Sequence, residues 1–188
     1  MEKLLAFISQ FTKLSEESWD ALAGILKHTE HPKGHILLRP GAVCNYLYYI
    51  ETGLTRTFYI KDGKDVTDWI SPENSIAVSL ISFLTRRSDI RGIELLETSS
   101  FWAIPYYELE GLYRKYHDIE KMGRLLVSSG VIQMQERFDD LHFATAIQRY
   151  QRLMDTHPDF ILRVPLGIIA SYLGITQETL SRIRSQLS

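Results

Sequence analysis

The feature that most constrains this chain is a stretch near its end, residues 164–184, with the pattern of two short helices joined by a tight turn. Pro165 stands where a helix can begin, because its missing N–H is one of the donors that a first turn leaves unpaired. Gly174 ends that helix, since glycine enters the left-handed region without steric cost. Thr176 is a natural N-cap for the next helix. The pattern predicts a helix-turn-helix, whose second helix lies in the major groove of DNA.

The second helix of this pair separates an apolar face from a polar face. Leu180 and Ile183 have the spacing of an inward face, and polar residues fill the outward positions. The residues assigned to DNA binding are Thr176, Gln177, Glu178, Thr179, Ser181, Arg182 and Arg184. The alternative is an ordinary helical hairpin, which the apolar spacing alone does not exclude. The turn glycine, the threonine cap and the polar face together favour DNA binding.

Charge and composition are compatible with this prediction. The net charge is −2, but five arginines and three acids lie from residue 144 onward, so the tail carries +2 and the remainder −4. The one cysteine, Cys44, excludes an internal disulfide and a cysteine-ligated iron–sulfur cluster within one chain. The sequence has no apolar run of membrane-spanning length and no signal-peptide pattern, so we expect a cytoplasmic protein without a membrane partner.

The first half of the chain changes from helical to strand patterns. A short helix is predicted over residues 3–11, and a second begins at the N-cap Ser15 and continues to the turn at 31–34. Residues 35–104 contain short strands separated by turn signals, including a glycine hairpin signal at 61–64. Short strands with regular turns predict a small antiparallel barrel or roll.

After the roll, the pattern returns to helix. Residues 106–116 form one short helix, and Asp118 is a candidate cap for a longer one that runs to about residue 141. That helix carries an apolar seam with a heptad period, made of Val127, Val131, Met134, Phe138 and Leu141. The seam predicts a homodimer; a helix buried within a monomer is the alternative. A capping box at Thr145 begins a new helix, so we expect domains at 1–143 and 144–188.

The order of roll, long helix and helix-turn-helix resembles the CRP/FNR family of bacterial transcription regulators. The resemblance covers nearly the whole chain and is most specific over residues 163–184. It implies an α+β fold: an antiparallel β-roll or jelly-roll barrel that is like a cyclic-nucleotide-binding domain, flanking helices, a long dimerisation helix and a C-terminal winged helix-turn-helix. Residues 160–164 are short for a wing hairpin, so we expect a reduced wing. The partners that it implies are double-stranded DNA, a second copy of the chain, RNA polymerase and a small-molecule effector.

The family's nucleotide pocket places a glutamate on the ribose and an arginine on the cyclic phosphate. In this sequence those positions align with Ser79 and Ile90, and the motif's glycine aligns with Val78. These departures remove binding chemistry, so cyclic AMP is not the expected effector. The candidate effector pocket, whose arginines have solvated surface as their alternative role, consists of Ser79, Arg86, Arg87 and Arg91. The effector and its identity stay open, and no metal or cofactor is predicted.

Two other classes of function compete with a DNA-binding regulator. A metal-binding cupin needs several histidines and a carboxylate around one metal, but His35 is the one histidine inside the predicted barrel. The sequence has no phosphate loop, nucleophile elbow or paired-carboxylate motif, so we do not expect an enzyme. The remaining alternative is a sensor or adaptor that binds a cyclic nucleotide or another small ligand without binding DNA. The intact polar face at 176–184 favours the DNA-binding regulator.

Overall fold

The computed structural model describes residues 1–187, in which two four-stranded antiparallel sheets form a roll. The strand order is β1-β8-β3-β6 in one sheet and β2-β7-β4-β5 in the other. The strands are β1 (Lys27–His31), β2 (Ile36–Leu38), β3 (Tyr46–Thr52), β4 (Thr55–Lys61), β5 (Lys64–Ser71), β6 (Ile76–Ala77), β7 (Gly92–Leu95) and β8 (Ser99–Pro105). The predicted antiparallel roll is confirmed.

Helices flank the roll and form the C-terminal part of the chain. They are α1 (Glu2–Ser9), α2 (Glu16–Ala23), α3 (Leu80–Thr85), α4 (Tyr106–Tyr113), α5 (His117–Phe143), α6 (Ala146–Thr156), α7 (Phe160–Arg163), α8 (Leu166–Tyr172) and α9 (Gln177–Leu187). The predicted capping box is present, because Thr145 and Gln148 exchange side-chain and backbone hydrogen bonds at the start of α6. Within residues 1–187, no helix combines the length and apolar content that a membrane span requires.

The β4–β5 hairpin follows its sequence signal. Asp62 and Gly63 both have positive φ, at 51° and 74°, as a two-residue primed turn requires. Lys61 pairs with Lys64 across this turn. The turn matches the right-handed twist of the two strands, so the local signal fixes their register.

The first strand, β1, lies where the sequence analysis extended a helix. The second helix ends at Ala23, and Lys27–His31 pairs with β8, from Lys27 opposite Ala103 to His31 opposite Ser99. The helix prediction was wrong here because β1 is an edge strand whose residues are mostly exposed and polar, so it has no apolar alternation. His28 and His31 therefore also belong to the roll. Residues 1–187 nevertheless contain no cluster of three groups suited to a metal ion.

Asp118 does not cap α5 as predicted. Tyr116 is the N-cap, and Asp118 lies in the first turn of the helix. The Asp118 carboxylate accepts hydrogen bonds from the Ser15 backbone N–H at 2.8 Å and the Ser18 hydroxyl at 2.6 Å. Ser15 caps α2 as predicted, through the Ser18 N–H at 3.1 Å. The aspartate therefore joins the starts of two helices that are distant in sequence.

Residues 160–164 do not form a reduced wing. Phe160–Arg163 is the short helix α7, and no residue between 144 and 187 lies in a strand. Phe160 and Val164 are four residues apart and both are buried in the same apolar cluster. In a helix, side chains four residues apart are neighbours, with about 5–6 Å between their Cβ atoms. In a strand, the same two residues would lie about 13 Å apart. The wing was expected from the family resemblance, and burial of this pair explains the helix.

Two apolar clusters form the core. The first lies between the sheets and α1, α2, α4 and the first part of α5. The second contains the inward side chains of α6–α9 and also three residues of the roll, Leu54, Ile70 and Leu96. The C-terminal helices therefore pack directly on the roll.

Gly123 allows α5 to approach α4, which gives a test of this packing. A Cβ at Gly123 would lie 2.3 Å from the Tyr113 hydroxyl oxygen, whereas a Cβ at Gly111 meets no atom within 4 Å. We expect Gly123→Ala to lower the free energy of unfolding by about 1–3 kcal/mol through overpacking. The control Gly111→Ala should raise it by up to about 1 kcal/mol through helix propensity. Urea denaturation that gave both variants the same sign of change would contradict this packing.

Candidate nucleic-acid interface

The turn between α8 and α9 is locked by backbone hydrogen bonds. Gly174 has φ +66° in the left-handed region. Its N–H donates to the Ser171 carbonyl at 3.0 Å, and the Ile175 N–H donates to the Ala170 carbonyl at 3.0 Å. This pair of bonds is a Schellman motif, which satisfies the last carbonyls of a helix. The role predicted for Gly174 is confirmed, and the direction in which α9 leaves the turn is fixed.

Thr176 begins α9 as predicted. Its hydroxyl oxygen accepts a hydrogen bond from the Thr179 N–H at 3.2 Å. The inward face of α9 is buried, with Leu180 fully covered and Ile183 nearly so, in the cluster that includes Ile169 of α8 and Leu173 directly after it. A capped start and a buried inner face hold the helix in one rotation about its own axis. The side chains that face solvent are therefore determined.

The absence of a side chain at Gly167 of α8 leaves room for Gln177 of α9. A Cβ at this position would lie 2.5 Å from Nε2 of Gln177, so the Gln177 side chain lies against α8. Gln177 is nevertheless exposed to solvent along part of its length. Among the predicted DNA-binding residues, it therefore has a part in packing as well as an exposed surface.

The structure brings the predicted DNA-binding residues together on the outer surface of α9 and its cap. All of them are exposed except Thr179, which is half-buried. A hydrogen bond from Thr176 lowers the pKa of Glu178, and its own backbone N–H and Arg182 act in the same direction. Glu178 is thus an acceptor at neutral pH. Arg182 donates from Nη2 to the Thr179 hydroxyl at 3.4 Å, so its guanidinium lies near the first turn.

The seam of α5 is apolar and mostly exposed. Val131 and Phe138 are each more than half exposed, Met134 and Leu141 are exposed to a smaller extent, and Val127 is half-buried. The start of the same helix is covered by the roll, where Ile119 and Met122 are buried. An apolar stripe of this kind is unfavourable in water and typical of an interface.

Two of the four predicted effector residues converge on one carboxylate. The Ser79 hydroxyl donates to Asp89 Oδ2 at 2.7 Å, and Arg91 Nη1 lies 3.2 Å from both oxygens of Asp89. Arg91 Nε also donates to Asp68 Oδ2 at 2.6 Å. Burial raises the pKa of Asp89, but the hydrogen bond from Ser79 and the charge of Arg91 outweigh it and lower that pKa. The polar groups of this site already satisfy one another.

The other two predicted effector residues lie elsewhere. Arg86, in the left-handed region at φ 57°, ends α3 and donates to the Cys44 carbonyl at 2.6 Å. Its guanidinium lies 4.0 Å from the centre of the Tyr106 ring. Arg87 is exposed. The structure therefore does not assemble the four residues into one pocket.

A cavity of about 840 Å³ lies between the roll and α5. Arg91 lines it, together with the seam residues Met134, Phe138 and Leu141. Ser79, Arg86 and Arg87 are not among the described residues that line it. The cavity is mainly apolar, and its charged lining includes both acids and arginines.

Three arginines that join the C-terminal helices to the rest of the chain were missed by the sequence analysis. They are Arg137, Arg149 and Arg163. Arg163 contacts Glu73, Glu97 and Asp159 at 2.7–3.1 Å. The spacing of four between Asp159 and Arg163 is a visible signal, but the other partners are far away in sequence and leave no local pattern.

We expect cyclic AMP not to bind to the Asp89 site with micromolar affinity. Its phosphate would meet the Asp89 carboxylate and would lack an unoccupied arginine, and an anion without a partner is costly in a partly dry pocket. Isothermal titration calorimetry measures this directly. Micromolar affinity would show that Arg91 can leave Asp89 to bind the phosphate.

Comparisons with known proteins relate the chain to regulators, although no family model matches it. The chain is 26% identical over 188 residues to the anaerobic regulatory protein of Pasteurella multocida, across 93% of this chain and 68% of that protein. The structure of FixK2 from Bradyrhizobium japonicum has a TM-score of 0.73 at 19% identity, over 87% of this chain and 84% of that one. A protein of Eubacterium rectale assigned to the CRP/FNR family has a TM-score of 0.74 at 16% identity, over 95% and 85%.

The structural matches establish the fold, and the sequence match to the Pasteurella protein covers 68% of that protein's length. The roll, the long helix and the helix-turn-helix follow one another in the order that the sequence resemblance implied. Together, these similarities support a transcriptional regulator of the CRP/FNR type.

Proposed function

We propose that this regulator binds double-stranded DNA as a homodimer and that α9 is its reading helix. The observation that carries this proposal is the α8–α9 unit, with its locked turn, its buried inner face and its exposed polar outer face. A sensor or adaptor without DNA binding has no need for such a face. The names of the curated relatives also favour a regulator over an enzyme.

The side chains of α9 have the chemistry needed to read base pairs. Arg182 is suited to a bidentate contact with guanine, and the Glu178 carboxylate to accepting from the cytosine amino group. These two residues are four apart and share one face of the helix. Ser181 lies beside them and can donate or accept. We assign base contacts to these three, and flanking contacts to Thr176, Gln177, Thr179 and Arg184.

The exposed seam of α5 supports the dimer. A second copy that packs seam against seam would remove Val131, Met134 and Phe138 from water. The resulting two-fold axis matches a palindromic operator with half-sites about 34 Å apart. The partners in this proposal are DNA, a second copy of the chain and RNA polymerase at the promoter, which places the protein in the cytoplasm. The effector stays unassigned.

We also propose that the chain divides near residue 143 into a sensor part and a DNA-binding part. α5 ends at Phe143, and α6 begins after the Thr145 cap. This boundary separates 1–143 from 144–188, although the second apolar cluster crosses it.

A charge placed in the seam tests the dimer. We expect Phe138→Asp to convert a dimer into a monomer at micromolar concentration, because two buried carboxylates would face each other across the axis. Multi-angle light scattering gives the mass. Ile90→Asp is the matched control, since Ile90 is 60% exposed and lies outside the seam. A monomeric wild type, or an unchanged dimer in Phe138→Asp, would refute the assignment.

Arg182→Ala tests the reading role. For a base contact, we expect a loss of about 1–3 kcal/mol on the preferred site and weaker discrimination at one base pair. For a phosphate contact, binding to all sequences weakens equally and the salt dependence becomes shallower. Fluorescence anisotropy with duplexes selected from a random pool separates the two cases. Arg114→Ala, at the exposed end of α4, is the control and should change neither quantity.

A further inference from the structure

Arg137 lies on α5 but contacts two other parts of the chain. Its Nε donates to the Asp68 carbonyl of β5 at 2.9 Å, and its Nη2 donates to the Tyr172 carbonyl of α8 at 2.6 Å. The guanidinium also lies 3.8 Å from the centre of the Tyr172 ring. One side chain therefore joins the dimerisation helix, the roll and the first helix of the DNA-binding unit.

The partners of Arg137 are carbonyl groups and a ring, and no ion pair of Arg137 is found among the described residues. Burial lowers the pKa of Arg137, which nevertheless keeps its charge because guanidinium deprotonates only at very high pH. Arg137 is half-buried, and the Asp68 carboxylate acts on it through its charge without a direct ion pair. A partly buried cation without a direct ion pair is costly, and an apolar side chain would pack there at less cost. The guanidinium adds two directed hydrogen bonds, which fix the positions of the groups that accept them.

These bonds act where α8 ends. Tyr172 is the last residue of α8 and directly precedes Leu173 and the turn glycine. The Leu173 carbonyl is held as well, by Arg149 Nε at 2.9 Å, and Arg149 Nη1 reaches the Ala144 carbonyl at 2.7 Å. Two successive carbonyls are thus fixed by arginines from α5 and α6. Because α9 leaves this turn, its direction relative to α5 depends on those contacts.

The same contact set continues into the roll. The Asp68 residue whose carbonyl binds Arg137 also accepts from Arg91 through its side chain. Arg91 in turn holds Asp89, which accepts from Ser79. A series of hydrogen-bonded residues therefore connects Ser79, which aligns with the pocket glutamate of the family, to the end of α8.

We propose that Arg137 is a positioning residue that sets the orientation of α9 relative to α5 and connects the Ser79–Asp89–Arg91 cluster to the DNA-binding unit. This inference rests on the proposed function. A homodimer holds both reading helices on one palindrome only if each keeps a set angle and distance from the two-fold axis. A variant that loses this geometry loses simultaneous contact with the two half-sites, while either helix still fits one half-site.

The experiment compares a palindromic duplex with a duplex that has one half-site, using the full chain and fluorescence anisotropy. We expect Arg137→Met to weaken binding to the palindrome by about 10- to 100-fold, the loss associated with impaired bivalency, and to leave half-site binding nearly unchanged. It should also weaken the preference for the correct half-site spacing when one or two base pairs are inserted. The matched control is Arg124→Met, an exposed arginine on α5 that should change none of these values.

Direct DNA contact and simple loss of structure give different results. Arg182→Ala should weaken both duplexes, because it removes a contact within each half-site. Light scattering and thermal unfolding verify that Arg137→Met remains folded and dimeric. If it does not, Arg137→Lys takes its place, since one ammonium cannot make both directed bonds. Equal losses of Arg137→Met on both duplexes would overturn the inference alone. A wild type that binds no duplex would overturn the proposed function and this inference with it.

A separate measurement tests the connection between Arg137 and the Ser79–Asp89–Arg91 cluster of the roll. Asp89→Asn is expected to change the ratio of palindrome to half-site affinity in the wild-type background and to leave it unchanged in the Arg137→Met background. A change of equal size in both backgrounds would show that the cluster does not act through Arg137.

Discussion

The structure depends on the apolar contact between the C-terminal helices and the roll. Leu54, Ile70 and Leu96 of the roll are buried in the same cluster as Phe160 and Leu180. A unit as small as α6–α9 buries too little apolar surface to be stable by its core alone. Its stability is therefore shared with the roll, and α9 is held in place by the same folded core.

Apolar contact is not directional, so the polar contacts around it decide the orientation. Arg163 donates to Glu97 and Glu73 of the roll in charge-assisted pairs, and these hydrogen bonds raise the pKa of Arg163. On the other side, the Ser171 hydroxyl accepts from the Thr67 N–H at 2.8 Å. Arg137 bridges Asp68 and Tyr172 directly beside this contact, so polar contacts hold the α6–α9 unit to the roll in two regions. A rotation of this unit would have to break hydrogen bonds of defined geometry.

Features coded by a few adjacent residues were predictable. The turn at Gly174, the caps at Ser15, Thr145 and Thr176, and the primed hairpin turn at 62–63 all follow from local backbone preferences. The fold class followed from the order of such elements and from the family resemblance. The strand β1 was not predictable, because an exposed polar edge strand has no apolar period and is specified by its pairing with β8.

How well the sequence analysis placed the candidate residues depends on how local their pattern is. The outer face of α9 is one helix, and spacing alone identified its exposed residues. Apart from the Arg163–Asp159 pair, the contacts of Arg137 and Arg163 join residues between 35 and 90 positions apart, so no short window of sequence contains both partners. The four predicted effector residues do not form one pocket, for a related reason. Arg86 was grouped with Arg91 by proximity in sequence, but a helix end turns it towards Cys44 and Tyr106.

The cavity and the proposed dimer surface share side chains. Met134, Phe138 and Leu141 line the cavity and also belong to the seam. In the proposed dimer, a second copy on the seam would contact the same residues that a molecule in the cavity contacts. Leu141 is also close to the helix-turn-helix, since a Cβ at Gly174 would lie 3.3 Å from its Cδ2. A change in packing along this part of α5 would therefore alter the cavity, the proposed dimer surface and the turn between α8 and α9 together. By thermodynamic linkage, any effect that binding in the cavity has on the proposed dimer must be matched by an equal effect of dimerisation on binding in the cavity.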